Sequence, residues 1–116
     1  LPDYVAAGVQ GISIGSNDLT QLLLGVDRDD ATLAEVFEDR HPAVQRAIAQ
    51  LCKQAQELGI PCSICGDAPV RHRELIHNLI RWGIDSISVP PTAIEAVFWE
   101  IVRAEHNLLS RTPRSP

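Results

Sequence analysis

The chain has 116 residues, enough for one ordinary domain and not for two. An apolar fraction of 45% supports a packed core, and with 4% aromatics and no methionine that core must be aliphatic. A net charge of −5 without a basic stripe excludes a phosphate-tracking nucleic-acid binder, and no apolar run is long enough to cross a membrane.

In chain order, Leu1-Pro2-Asp3-Tyr4-Val5-Ala6-Ala7-Gly8 reads as the end of a helix running into a strand. The start carries no methionine and no secretory signal pattern, which predicts a fragment of a longer protein. Ile12 to Ile14 has strand character between Gly11 and Gly15, and the polar run Ser16-Asn17-Asp18-Leu19-Thr20-Gln21 reads as the loop that follows. From Thr20 to Arg40 the connection is long, carries Asp27-Arg28-Asp29-Asp30, and has room for a short helix near Leu33 to Phe37. Val44, Ala47, Ile48, Leu51, Ala55 and Leu58 then follow helical spacing, with Gly59 as the stop. A second strand spans Cys62 to Ile64. His72, Leu75, Ile76, Leu79 and Ile80 form the next helical stripe, ended by Gly83. A third strand covers Ser86 to Val89. Thr92 and Glu95 fit a capping box for a last helix striped by Ile94, Val97, Phe98, Ile101 and Val102. Residues 110–116 are polar and proline-rich and read as a disordered tail behind a domain of residues 1–109.

Strands alternating with helices predict an α/β fold: a parallel sheet with right-handed crossovers. Three βα units are too few for a closed eight-stranded barrel. The chain is then either a small three-stranded sheet or a slice of a larger barrel, and the abrupt start favours the slice. Its outer strands would be open edges, which predicts self-association or another chain completing the sheet.

In a parallel α/β sheet the loops after the strands gather at one end and build the site. Gly15-Ser16-Asn17-Asp18 follows the first strand, and Cys65-Gly66-Asp67 follows the second. An amide, a carboxylate and a thiol would meet there, enough for a metal-assisted reaction that needs a proton donor.

Gly15-Ser16-Asn17-Asp18-Leu19-Thr20-Gln21, followed by Leu24-Gly25-Val26-Asp27-Arg28-Asp29, resembles the C-terminal barrel of the phosphoenolpyruvate-utilising enzymes. Ile64-Cys65-Gly66-Asp67-Ala68-Pro69 and Gly83-Ile84-Asp85-Ser86-Ile87-Ser88-Val89 carry the same resemblance, which spans residues 11–89. Ala68-Pro69 is more similar to the branch of pyruvate, water dikinases than to pyruvate, phosphate dikinase or enzyme I of the sugar phosphotransferase system. The resemblance implies the last three units of a (β/α)₈ TIM-type barrel that binds phosphoenolpyruvate or pyruvate. It implies substrate binding by Gly15, Ser16, Asn17 and Asp18, a Mg²⁺ ligand in Asp18, and a proton donor to the enolate carbon in Cys65. It further implies upstream ATP-binding and phosphohistidine domains as partners. The chemistry is coherent: a hard cation held by carboxylate oxygens stabilises an enolate, and a thiol is an acid able to protonate carbon. Three departures stand out. Asp67 occupies a position where Gln or Glu is usual, Pro90 one where Asn is common, and a second Mg²⁺ ligand, a Glu from an earlier strand, has no counterpart. A degenerate module serving assembly is the reading from outside catalysis.

Simpler readings stand beside these. Asn17-Asp18 taken alone is a turn or a helix start. A lone cysteine is more often a core thiol. Three cysteines without a secretory signal predict a reducing, cytoplasmic setting rather than a disulfide framework. Cys62-Ser63-Ile64-Cys65 is also a CxxC, but it spans a strand rather than opening a helix, and two further zinc ligands are not evident. His41, His72, His77 and His106 read as structural or surface residues, and Cys52 as core.

Overall fold

Strands β1 (Ile12–Gly15), β2 (Cys62–Cys65) and β3 (Ser86–Ile87) pair in parallel in the order β1-β2-β3. The computed structural model describes residues 1–25 and 40–111. Asp27-Arg28-Asp29-Asp30, the helix expected near Leu33 to Phe37, and residues 112–116 lie outside that range. The helices are α1 (Pro2–Ala6), α2 (Ser16–Leu24), α3 (Pro42–Leu58), α4 (Ala68–Arg71), α5 (Arg73–Arg81) and α6 (Ile94–Arg111). The α/β alternation read from periodicity is therefore present as a small parallel sheet.

Alternation along the strands sorts side chains between two faces. Ile14, Cys62 and Ile64 point to one face and are buried against Val44, Ile48, Cys52 and Ala55 of α3 and Leu75 and Leu79 of α5. Ser13, Ser63 and Ser86 stand in one cross-strand row on the other face, and none of them is buried. One face of the sheet is covered by helices while the other keeps a polar row open, although parallel sheets are ordinarily covered on both.

Helix α3 begins and ends with recognisable chemistry. Pro42 occupies the first turn, and His41 Nδ1 accepts a hydrogen bond from the Ala43 amide at 3.0 Å. At the other end Gly59 adopts φ +71°, and the Ile60 amide reaches back to the Ala55 carbonyl, a left-handed stop that glycine makes without strain. The expected stripe is buried at Val44, Ile48 and Ala55, with Cys52 in the core as expected, while Ala47, Leu51 and Leu58 are partly buried.

Four expectations need correction. Ser16 to Gln21 is not a loop: α2 starts directly after β1, so Ser16, Asn17 and Asp18 form its first turn. The capping box does not open the last helix, because Thr92 sits inside the 3-10 turn Pro91–Ala93 that precedes α6. The last apolar stripe is largely exposed: Val97 is buried, but Ile94, Phe98 and Val102 are not. Among the described elements α6 packs chiefly on α5, with Val97, Glu100 and Ala104 on its buried face, and Ile94, Phe98 and Val102 lie on another face of the helix. Finally, Ser110 and Arg111, read as tail, continue α6.

Polar contacts tie the layers at two further places. The Asp85 carboxylate accepts a hydrogen bond from the Cys62 amide at 2.7 Å, and the Asp85 amide donates to the Cys62 carbonyl at 2.9 Å. This double contact fixes the entry of β3 beside the entry of β2. Between α5 and α6, Glu100 is nearly buried, with Oε1 2.7 Å from His77 Nε2 and Oε2 2.9 Å from Arg103. The hydrogen bond from His77 holds the Glu100 carboxyl below the ordinary carboxylate range, against burial and with the help of Arg103.

Asp85→Ala is expected to lower unfolding free energy by about 1.5 kcal/mol, the low end for a hydrogen bond to a charged group, because the site is partly open to water. Urea denaturation measures it, and an unchanged midpoint would remove Asp85 from the account. Glu100 gives a pH test. A carboxyl whose folded pKa is depressed contributes stability above its unfolded pKa and loses it as pH falls through the folded value. The stability gap between the parent and Glu100→Gln should therefore be full near neutrality and shrink on acidification below the ordinary carboxylate range. A gap independent of pH would contradict the pairing.

Candidate active site at the strand ends

The parallel register sets Gly15 opposite Cys65, so the chain leaves β1 and β2 at the same level. After Gly15 it enters α2 at once. After Cys65 it turns at Gly66, with φ +110°, and enters the short α4 through Asp67. The two exits touch. A Cβ placed on Gly66 would collide with the Ser16 hydroxyl, and the positive φ is one that glycine adopts without strain. Gly15 makes no such turn: its φ of −86° and ψ of 99° are ordinary extended backbone.

Around this contact the structure gathers most of the residues singled out from sequence. Ser16 is fully buried, and its Oγ has no hydrogen-bond partner among the described residues. Asn17 Nδ2 donates to Asp67 Oδ2 at 3.4 Å, bridging the two exits. Asp18 is exposed in the first turn of α2, where a carboxylate also complements the positive end of the helix dipole. Cys65 is half-buried on the open face of the sheet, and Ser13 Oγ lies 3.9 Å from its Sγ as a donor.

The three cysteines divide cleanly. Cys52 and Cys62 are buried on the helix-covered side, close enough for their thiols to interact. Burial pushes the Cys52 thiol up to about 12, with Cys62 beside it adding to the shift. Burial also raises Cys62. Both are therefore protonated, enclosed and inert, and Cys65 alone faces the open side. The CxxC does not converge, because its two cysteines point to opposite faces of one strand.

Sequence reasoning passed over Ser13 and gave Asp67 no role. Ser13 was detectable by alternation, two residues before Gly15 and on the same face. Asp67's contact needed the register between the strands, which spacing does not supply. Asp85, quoted only as part of a motif, acts at the opposite end of the sheet.

For a metal, the described residues contain no group of three or more His, Cys, Asp or Glu that could enclose an ion. Asp18 does offer one exposed hard oxygen ligand. That fits Mg²⁺, which commonly keeps several waters and is held by one or two carboxylates plus substrate oxygens. Elsewhere, a cavity of about 470 Å³ opens between α5 and α6, lined by Glu74, His77, Arg81, Glu100 and Leu108 among others. Its charged side chains are already paired: Glu74 with Arg40, His77 with Glu100, and Arg81 with Asn78. Its lining includes no serine, threonine or cysteine, and it lies in the helical layer rather than at the strand ends.

Comparison with known proteins identifies the family. Residues 1–106 match the family described as "PEP-utilising enzyme, PEP-binding domain". The chain is 48% identical over 111 residues to a phosphoenolpyruvate synthase of Aeropyrum pernix, covering 94% of this chain and 14% of that protein. It is 45% identical over 108 residues to a phosphoenolpyruvate synthase of Aquifex aeolicus, covering 93% of this chain and 13% of that one. A probable phosphoenolpyruvate synthase of Staphylothermus marinus is 45% identical over 111 residues, with 94% and 13% covered. The chain belongs to the phosphoenolpyruvate-utilising enzyme family and corresponds to its PEP-binding domain. It spans about one seventh of the length of these relatives.

The cysteine assignment has a direct chemical test. In the folded chain an alkylating reagent should modify Cys65 well before Cys52 or Cys62, which should react only on unfolding. Peptide mass spectrometry reads the order, and Cys62 reacting as fast as Cys65 would contradict the strand register.

Proposed function

We propose that this chain is the C-terminal substrate-binding portion of a phosphoenolpyruvate synthase (a pyruvate, water dikinase) and contributes part of its pyruvate/phosphoenolpyruvate site. The observation that carries the reading is the pairing of Gly15 with Cys65. It sets the first turn of α2 beside the only cysteine on the open face. The family membership and the names of the relatives support it. The complete enzyme would take ATP, pyruvate and water to AMP, phosphoenolpyruvate and phosphate through a phosphohistidine carried on another domain, in the cytoplasm.

In this reading the residues of the chain divide the work. Ser16, Asn17 and Asp18 begin a helix whose free amides and positive dipole end suit an anionic substrate. Asn17 orients it. When bound, Mg²⁺ would be held by Asp18 and would supply charge stabilisation for the enolate oxygen. Cys65 moves the proton at carbon. Towards phosphoenolpyruvate, a proton passes from C3 of pyruvate to the Cys65 sulfur. The enolate oxygen then takes the phosphoryl group as its bond to the histidine nitrogen breaks. In reverse, the thiol returns the proton to C3. Ser13 donates to the sulfur while it is anionic.

The exposed architecture supports a larger assembly. β1 and β3 are outer strands, the serine face of the sheet is open, and Ile94, Phe98, Trp99 and Val102 expose apolar surface on α6. Further βα units of a (β/α)₈ barrel would cover these, from the same polypeptide or by self-association. Pyruvate, phosphate dikinase or enzyme I would place the same site in another reaction; the names of the relatives favour the synthase.

Two measurements test this. The 116-residue chain alone, given ATP, pyruvate and Mg²⁺, should form no phosphoenolpyruvate, because the phosphoryl-carrying histidine belongs elsewhere; steady production would refute the division of labour. In the longer enzyme, Asp18→Asn should lower turnover at least about tenfold and raise the Mg²⁺ concentration required, with thermal unfolding nearly unchanged. An unaltered Mg²⁺ requirement would remove Asp18 from the metal site.

A further inference from the structure

Asp67 is the residue at the N-cap of α4, where aspartate ordinarily accepts a backbone hydrogen bond from its own helix. Here its side chain makes no capping hydrogen bond. Instead Oδ2 receives Asn17 Nδ2 from the neighbouring exit at 3.4 Å. The backbone forces this proximity, since Gly15 is paired with Cys65 and Gly66 lies against Ser16 with no room for a Cβ.

We propose that Asp67 is a positioning residue for Asn17, setting the rotation of its carboxamide at the site; this rests on the function proposed above. A carboxamide has a donor end and an acceptor end that sterics alone scarcely distinguish. An ionised carboxylate only accepts, so it draws Nδ2 and repels Oδ1. With Asp67 in place, Oδ1 turns away from the β2 exit into a buried position, where it has no hydrogen-bond partner among the described residues. Ser16 Oγ, one residue earlier in the same helical turn, is in the same condition. Without the carboxylate, nothing at this contact selects between the two ends of the amide, and the group that meets substrate loses its fixed orientation. Asp67 itself does not touch the reacting atoms in this account; it acts through Asn17.

Kinetics in the longer enzyme test the role. Asp67→Ala should lower kcat/KM for pyruvate about tenfold, as the loss of an outer partner does, while phosphorylation of the carrier histidine by ATP is unchanged. In an Asn17→Ala background the same substitution should change kcat/KM by less than about twofold, because the group it positions is gone. Equal losses in both backgrounds would overturn the proposal. A second readout needs no turnover. The side-chain amide signals of Asn17 in ¹H–¹⁵N spectra, assigned with Asn17→Ala, should shift or broaden in Asp67→Ala and keep their positions more nearly in Asp67→Glu. Signals indifferent to Asp67 would overturn the positioning whatever the enzyme does. A parent enzyme without pyruvate turnover, but with the Asn17 signals still sensitive to Asp67→Ala, would support the pairing and count against the proposed reaction instead.

Discussion

The contact between the exits of β1 and β2 is the constraint on which the rest depends. Pairing in parallel at the level of Gly15 and Cys65 obliges whatever follows the two strands to share one small volume. Gly66 resolves the crowding by having no side chain and by accepting a positive φ, and Ser16 fills the space it leaves. The amide of Asn17 then meets the carboxylate of Asp67, and Cys65 leaves the sheet at the same level, because of backbone geometry. Each is two residues or fewer from the paired positions, so little flexibility intervenes.

The covered face of the sheet makes that geometry rigid, and the pleat makes it selective. α3 and α5 bury Ile14, Cys62 and Ile64 beneath an aliphatic layer. The same alternation that buries Cys62 must present Cys65 on the other side. Burial keeps Cys52 and Cys62 protonated and enclosed, while Cys65 shares its face with a row of serines. One thiol of three is thereby left for chemistry.

Much of this was legible in the residues. Helical spacing located α3, and Gly59 marked its end. The short aliphatic runs located all three strands to within a residue or two, and Cys52 and Cys65 took the sides that periodicity assigned them. The failures have physical causes. Ser16-Asn17-Asp18 looks like a turn because these residues favour turns and helix starts equally; only the chain entering α2 without a linker decides between the two. The stripe of α6 looks like core because periodicity reports amphipathicity without reporting what covers it, and among the described elements α5 is its chief partner. Thr92 and Glu95 had the spacing of a capping box, but two prolines directly before them favour a tight 3-10 turn over a capped start. Asp67 and Ser13 gain meaning only from partners some fifty residues away, which no local pattern encodes.

The central claim is that the two exits form one site in which Cys65 handles the proton at carbon. Hydrogen exchange between C3 of pyruvate and solvent, followed by NMR in deuterated water with the longer enzyme, tests it most directly. Cys65→Ala should abolish the exchange and net turnover while histidine phosphorylation by ATP continues, and Cys62→Ala should retain exchange. Exchange that survives in Cys65→Ala but disappears in Cys62→Ala would contradict both the assignment and the strand register beneath it.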